Sequence, residues 1–120
     1  MEKKLILIAE DNFPSKILLM EILSDYMVNI LWADDGLKAY RMVEDNPNIE
    51  LVIMDVEMPV MDGLESAQLI KKLRPELMII AHTAYSLSEQ KLKYFDDCIR
   101  KPSDPKDLLG IVKMSLGIGS

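Results

Sequence analysis

The sequence predicts an α/β domain: one parallel, five-stranded, doubly wound sheet of (βα)5 connectivity, with helices on both faces making three layers. Short, continuous apolar runs alternate with longer amphipathic segments five times along the chain. Continuous apolar runs are what strands covered on both faces require, and their alternation with helices implies parallel pairing through right-handed crossovers. The length of 120 residues suits a single domain, and a chain of this size buries roughly two-thirds of its unfolded surface.

Each element has its own signal. Leu5 to Ala9 is wholly apolar and reads as the first strand. Lys16 to Tyr26 repeats apolar residues at helical spacing (Ile17, Leu18, Met20 or Leu19, Ile22, Leu23), with Pro14 and Ser15 placed for its first turn or cap. Asn29 to Ala33 is a weaker strand, and Asp34-Asp35-Gly36 reads as a turn and helix cap before Leu37 to Glu44. Leu51 to Met54 is a strong buried strand. In the loop that follows, Pro59 sets a bend, and Gly63 is expected to adopt an unusual backbone conformation. The helix from Leu64 to Leu73 stops before Pro75. Met78 to Ala81 is the fourth strand and Cys98-Ile99 a stub of the fifth. Pro105 to Leu116 closes the chain as a helix with Asp104 as its N-cap. We read residues 1–120 as one domain with its core in about 3–116; the tail 117–120 is a frayed end, a domain boundary or an added remnant.

Composition excludes several classes. Fourteen Lys and Arg against 20 Asp and Glu give a formal charge of -6, which argues against direct nucleic-acid binding. The single cysteine, Cys98, forms no internal disulfide and points to a reducing compartment. No apolar run approaches the length of a spanning helix or a secretory signal, so we expect a cytoplasmic protein without membrane contact. His82, the only histidine, is expected to be packed rather than catalytic, pointing to the opposite side of its strand from Thr83. The nine methionines are expected to be mostly core filler.

In doubly wound sheets, ligands bind at the carboxyl ends of the strands. There the sequence sets Glu10-Asp11, Asp55, Thr83 and Lys101. If strands one and three are neighbours, as in the flavodoxin-like order 2-1-3-4-5, three carboxylates converge. They would repel one another without a cation, and an all-oxygen set suits a hard ion such as Mg²⁺. A lysine and a hydroxyl beyond Asp55 are what a phosphoryl group needs for charge and hydrogen bonding. One acid at a strand end is ordinary turn chemistry; the pattern over four successive strand ends is not.

These residues resemble a known family. Leu51-Val-Ile-Met-Asp-Val-Glu-Met-Pro-Val-Met-Asp-Gly63 looks like the phosphoacceptor segment of the response-regulator receiver domain of two-component signalling. Ala9-Glu-Asp-Asn12, Ala81-His-Thr-Ala84 and Lys101-Pro102 match its other motifs in order and spacing, and the resemblance extends over about residues 3 to 116. It is strongest to receivers of hybrid histidine kinases and single-domain response regulators. The resemblance implies that Asp55 accepts a phosphoryl group from a phosphohistidine on a sensor histidine kinase or phosphotransfer protein. It implies Mg²⁺ held by Glu10, Asp11, Asp55 and the backbone carbonyl of Glu57. Lys101 and Thr83 would bind the phosphoryl group, with N–H groups near Val56, Glu57 and Ala84 as further donors. Glu57 and Tyr85 would tune the lifetime of the acyl phosphate. Such a domain catalyses only its own phosphorylation and dephosphorylation, and a weak homodimer is compatible with it.

The sequence departs from the family in two places. The position three before the Lys, usually Tyr or Phe, is Cys98, which cannot swing a ring; Thr83 and Cys98 thus mark an altered switch. Thr83 and Lys101 are also only 18 positions apart, so the fourth helix should be shortened to about two turns, Ser88 to Phe95. The alternative is a degenerate receiver acting as a phosphorylation-independent interaction module. A haloacid-dehalogenase-type phosphatase lacks room here for a cap domain, and a flavin-type carrier would need a Ser/Thr/Gly-rich first loop where Glu10-Asp11-Asn12 stands.

Overall fold

A computed structural model of the chain describes residues 3–24 and 28–118; Tyr26, Gly119 and Ser120 lie outside the described residues. Five strands alternate with five helices: β1 (Lys4–Ala9), α1 (Phe13–Leu23), β2 (Val28–Ala33), α2 (Gly36–Asp45), β3 (Ile49–Met54), α3 (Gly63–Leu73), β4 (Met78–Thr83), α4 (Glu89–Leu92), β5 (Asp97–Arg100) and α5 (Pro105–Leu116). The sheet order is β2-β1-β3-β4-β5 with every pair parallel, as the sequence predicts.

Two-residue periodicity divides the core between the sheet faces. Leu7, Ala9, Val52, Met54, Ile79 and Ala81 face one way and pack on Ala39 and Val43 of α2 and Ala67 and Ile70 of α3. Ile6, Ile8, Leu51, Ile53 and Ile80 face the other way onto Leu19 and Leu23 of α1 and Leu108, Val112 and Leu116 of α5. β1 and β3 are central and apolar throughout their buried ends, so the first and third strand termini are held side by side. A buried Leu or Ile here, cut back to Ala, would cost about 2–5 kcal/mol.

Three expectations need correction. α1 begins three residues earlier than its apolar repeat; Pro14 and Ser15 lie in its first turn, one of the two places expected, and the Asn12 side chain caps it by accepting from the Ser15 amide at 2.9 Å. α4 is a single turn rather than two; after it Phe95 turns into the core and the Asp96 amide donates to Ile79 O at 2.7 Å, which ends the helix. The Asp96 carboxylate also accepts from the Ile79 amide and Lys71 Nζ, each at 2.7 Å, so the short link is tied to β4 and α3. The unusual backbone of the β3–α3 loop falls on Val60, at φ 68°, and Gly63 serves another purpose. The methionines are mostly core residues, as expected: among the described ones Met54 is fully buried and Met42, Met58 and Met78 pack against the core, while Met20 and Met114 are exposed. At the other end, Gly117 caps α5 in the left-handed region and Ile118 packs on the core, so the tail begins as helix cap.

Candidate functional site

The ladder continues past the strand ends and fixes the backbone of the residues that follow. The Glu10 amide donates to Ala33 O and the Asp55 amide to Ala9 O, both at 2.9 Å, while the Lys101 amide donates to Thr83 O at 2.8 Å. Rigid strand termini thus set where these side chains start.

They converge. Oxygens of Glu10, Asp11 and Asp55 lie within 4.8 Å of one another. Lys101 Nζ is 2.7 Å from Glu10 Oε1 and 3.5 Å from Asp55 Oδ2. Glu10 is buried beneath the site, Asp55 nearly so, and Asp11 is exposed at its mouth. Burial pushes the Glu10 carboxyl up to about 7; the neighbouring Asp55 adds to the rise and Lys101 opposes it. Three carboxylates against one ammonium leave an excess of negative charge on an all-oxygen donor set, which fits a hard divalent cation.

A cavity of about 530 Å³ opens over this cluster, lined by Asp11, Asp55, Glu57, Thr83, Ala84, Tyr85 and Lys101 among others. Seven of the residues singled out from sequence therefore share one cavity. The Glu57 amide donates to Asp55 Oδ1 at 3.3 Å. Thr83 is buried, and its Oγ1 accepts from the Tyr85 amide at 3.1 Å. Val56 does not line the cavity; it packs against the core on the α2–α3 side. Cys98 lies away from the cavity, half-buried in the groove between β5 and α5. His82 is buried on the opposite face from Thr83, its Nε2 3.2 Å from Ser103 Oγ, and burial together with the Lys101 charge pushes it down to about 4, so it is neutral.

The loops owe their shape to two glycines. Gly63 donates its amide to Val56 O at 2.7 Å, so close that a Cβ would collide with the Asp55 carbonyl. Gly36 donates to Met61 O at 2.9 Å, and the buried Ser66 hydroxyl donates to Gly36 O at 2.7 Å, tying the starts of α2 and α3 together. Sequence reasoning missed Phe13 and Ser15 as cavity residues, although an aromatic directly after Glu10-Asp11-Asn12 was the available signal. It also missed Arg100, whose Nη1 donates to Ser86 Oγ at 2.7 Å and Nη2 to Ala84 O at 3.2 Å.

Fold, acidic cluster and loop motif together define a receiver domain of two-component systems. The response regulator receiver domain family matches residues 6–113, and the chain belongs to that family. It is 30% identical over 122 residues to the sensor histidine kinase GacS of Pseudomonas protegens, and 32% identical over 116 residues to the sensor histidine kinase RcsC of Escherichia coli. These alignments take in 94% and 93% of this chain but only 13% and 12% of those relatives. Among solved structures, the receiver domain of a Pseudomonas aeruginosa sensor histidine kinase, with magnesium coordinated in its active-site cleft, superimposes with a TM-score of 0.87 at 26% identity, over 96% of this chain and 98% of that one. A CheY-like receiver from Methanospirillum hungatei gives 0.86 at 28% identity, over 97% and 95%. Receiver domains are signalling modules rather than metabolic enzymes. No helix among the described residues is long and apolar enough to cross a membrane.

Proposed function

We propose that this domain accepts a phosphoryl group on Asp55 from a phosphohistidine of a sensor histidine kinase or phosphotransfer protein and uses the resulting acyl phosphate to switch partner binding. The observation that carries this reading is the joint placement of the Asp55 carboxylate, two further acids and the Lys101 ammonium at one cavity. An Asp55 carboxylate oxygen attacks phosphorus, the P–N bond breaks, and the imidazole leaves with its electron pair. Mg²⁺, held by Glu10, Asp11, Asp55 and the backbone carbonyl of Glu57, would supply charge neutralisation at the phosphoryl oxygens. Lys101 exchanges part of its pairing with Glu10 for the new dianion, and amides near Val56, Glu57 and Ala84 donate to its oxygens. Thr83 moves its hydroxyl toward the phosphoryl group and carries the loop after β4 with it. Glu57 and Tyr85 flank the approach of the hydrolytic water and set the lifetime.

The surface beside the cavity supports a protein donor. α1 exposes Phe13, Ile17, Leu18 and Met20, with Phe13 69% exposed at the cavity rim. A cluster of exposed apolar side chains bordering an acidic pocket is a surface that a partner covers. The placement is cytoplasmic in this reading, where such donors carry their phosphohistidine.

Incubation with acetyl phosphate and Mg²⁺, read by intact mass, tests the acceptor. One phosphate is gained by the wild type and none by Asp55→Asn. No gain in the wild type with either acetyl phosphate or a phosphorylated histidine donor would instead favour a phosphorylation-independent interaction module.

A further inference from the structure

The peptide between Ala84 and Tyr85 is held at both ends. Its N–H donates to Thr83 Oγ1 at 3.1 Å, inside the cavity. Its carbonyl, that of Ala84, accepts from Arg100 Nη2 at 3.2 Å, outside the cavity. The same guanidinium donates through Nη1 to Ser86 Oγ at 2.7 Å. Arg100 stands directly opposite Thr83 in the β4–β5 register, and the next amide, Lys101, donates to Thr83 O at 2.8 Å. The segment 83–86 is therefore clasped from β5 by one backbone and two side-chain hydrogen bonds. Arg100 takes no part in the acidic cavity; it lines the groove between β5 and α5 together with Cys98, Gly110 and Met114.

We propose that Arg100 is a positioning residue that clasps the 83–86 loop in its resting arrangement and takes the place of the ring absent at Cys98 in linking Thr83 to the β5–α5 groove. The inference rests on the acceptor reading of Asp55. When Thr83 moves toward a phosphoryl group, the Tyr85 amide loses its acceptor, and the peptide is free to turn only if Ala84 O leaves Arg100. The planar, forked guanidinium suits this task, because it grips two acceptors on one loop at once and a lysine ammonium offers no such fork. Hydrogen bonds sharing one peptide polarise each other, so loss at the Thr83 end weakens the Arg100 end. Coupling is reciprocal: whatever draws Arg100 into the groove also frees the loop for the phosphorylated arrangement. Cys98, small and half-buried, leaves the guanidinium as the group on β5 that touches this loop through its side chain.

The test uses beryllofluoride with Mg²⁺ as a phosphoryl mimic. Apparent affinity is measured together with the amide resonances of Ala84 and Tyr85 and the melting temperature. Arg100→Ala should bind the mimic about three- to tenfold more tightly than wild type, the equivalent of one net hydrogen bond removed from the resting state. Ser86→Ala should tighten binding by a smaller factor, and Arg100→Lys should follow Arg100→Ala. In both alanine variants the Tyr85 resonance, without the mimic, should move toward its wild-type mimic-bound position. Equal or weaker affinity in Arg100→Ala, with the wild type binding normally, would overturn the clasp; so would a loss of melting temperature without tighter binding. A wild type that fails to bind the mimic at all would overturn the acceptor reading and the clasp with it.

Discussion

Gly63 and Asp55 approach each other so closely that no side chain fits between them: a Cβ on Gly63 would strike the Asp55 carbonyl and come within 2.8 Å of Val56 Cα. Gly63 opens α3, and its amide bonds to Val56 O at 2.7 Å, so the helix start and the end of β3 are one rigid unit. The need here is space rather than backbone freedom. Gly63→Ala should therefore destabilise the fold by about 1–3 kcal/mol, as overpacking does, and displace Asp55 enough to suppress phosphorylation by acetyl phosphate. Denaturant unfolding and intact mass on the same preparation check both halves.

Val60 carries the strain that Gly63 does not. It is a β-branched residue at φ 68° and is 79% exposed, so its side chain has little packing to lose. The left-handed region costs an L-residue roughly 1–2 kcal/mol, part of which glycine returns through the entropy of the unfolded chain. Val60→Gly should raise stability by about 0.5–1 kcal/mol, while Val60→Ala should change it little. A midpoint shift in urea unfolding at constant slope is the expected signature.

The apolar face of α1 predicts a difference between donors. Ile17→Glu places a charge in a surface that a protein donor must cover, whereas acetyl phosphate touches only the cavity. Transfer from a phosphorylated histidine protein should slow by about tenfold or more relative to the change seen with acetyl phosphate. Parallel single-turnover rates with the two donors decide it.

His82 predicts a pH dependence. Burial holds it near 4 in the folded state against an ordinary value of 6.5, so the unfolded chain takes up the proton first. Its contribution is complete above pH 6.5, declines as pH falls from 6.5 toward 4, and is flat below that. Glu10, raised to about 7, works in the opposite direction: it favours the fold at low pH and loses that contribution as pH rises from 4.5 to 7. The two partly cancel in the wild type, so the comparison that isolates His82 is with His82→Leu. Relative to that variant the wild type should lose about 2–3 kcal/mol between pH 6.5 and 4, measured by denaturant titration at each pH.

Much of this was legible from residue order. The apolar runs at Leu5 to Ala9 and Leu51 to Met54 marked central strands, and Asp104-Pro105 marked the start of α5 at the residue observed. The residues that meet at the acidic cavity were legible because they follow strand ends, which are local features. The start of α1 was not, because Asn12 caps from outside the apolar repeat. The length of α4 was not, because Phe95 leaves the helix for a core pocket formed by distant residues.

The sequence by itself determined the alternation of strands and helices, their assignment to a doubly wound parallel sheet, and the identity of the chemical groups at the strand ends. These follow from hydrophobic period and local backbone chemistry, which act within a few residues. Tertiary structure decided which of those groups touch. Lys101 reaches Glu10 across 91 residues of chain, and it does so because the parallel pairing of β1, β3, β4 and β5 sets their carboxyl ends along one edge of the sheet. Gly63 against Asp55, Gly36 against Met61, and Arg100 on the carbonyl of Ala84 arise in the same way: each is a close approach between separate segments of the chain, set by strand pairing and by the packing of helices on both faces.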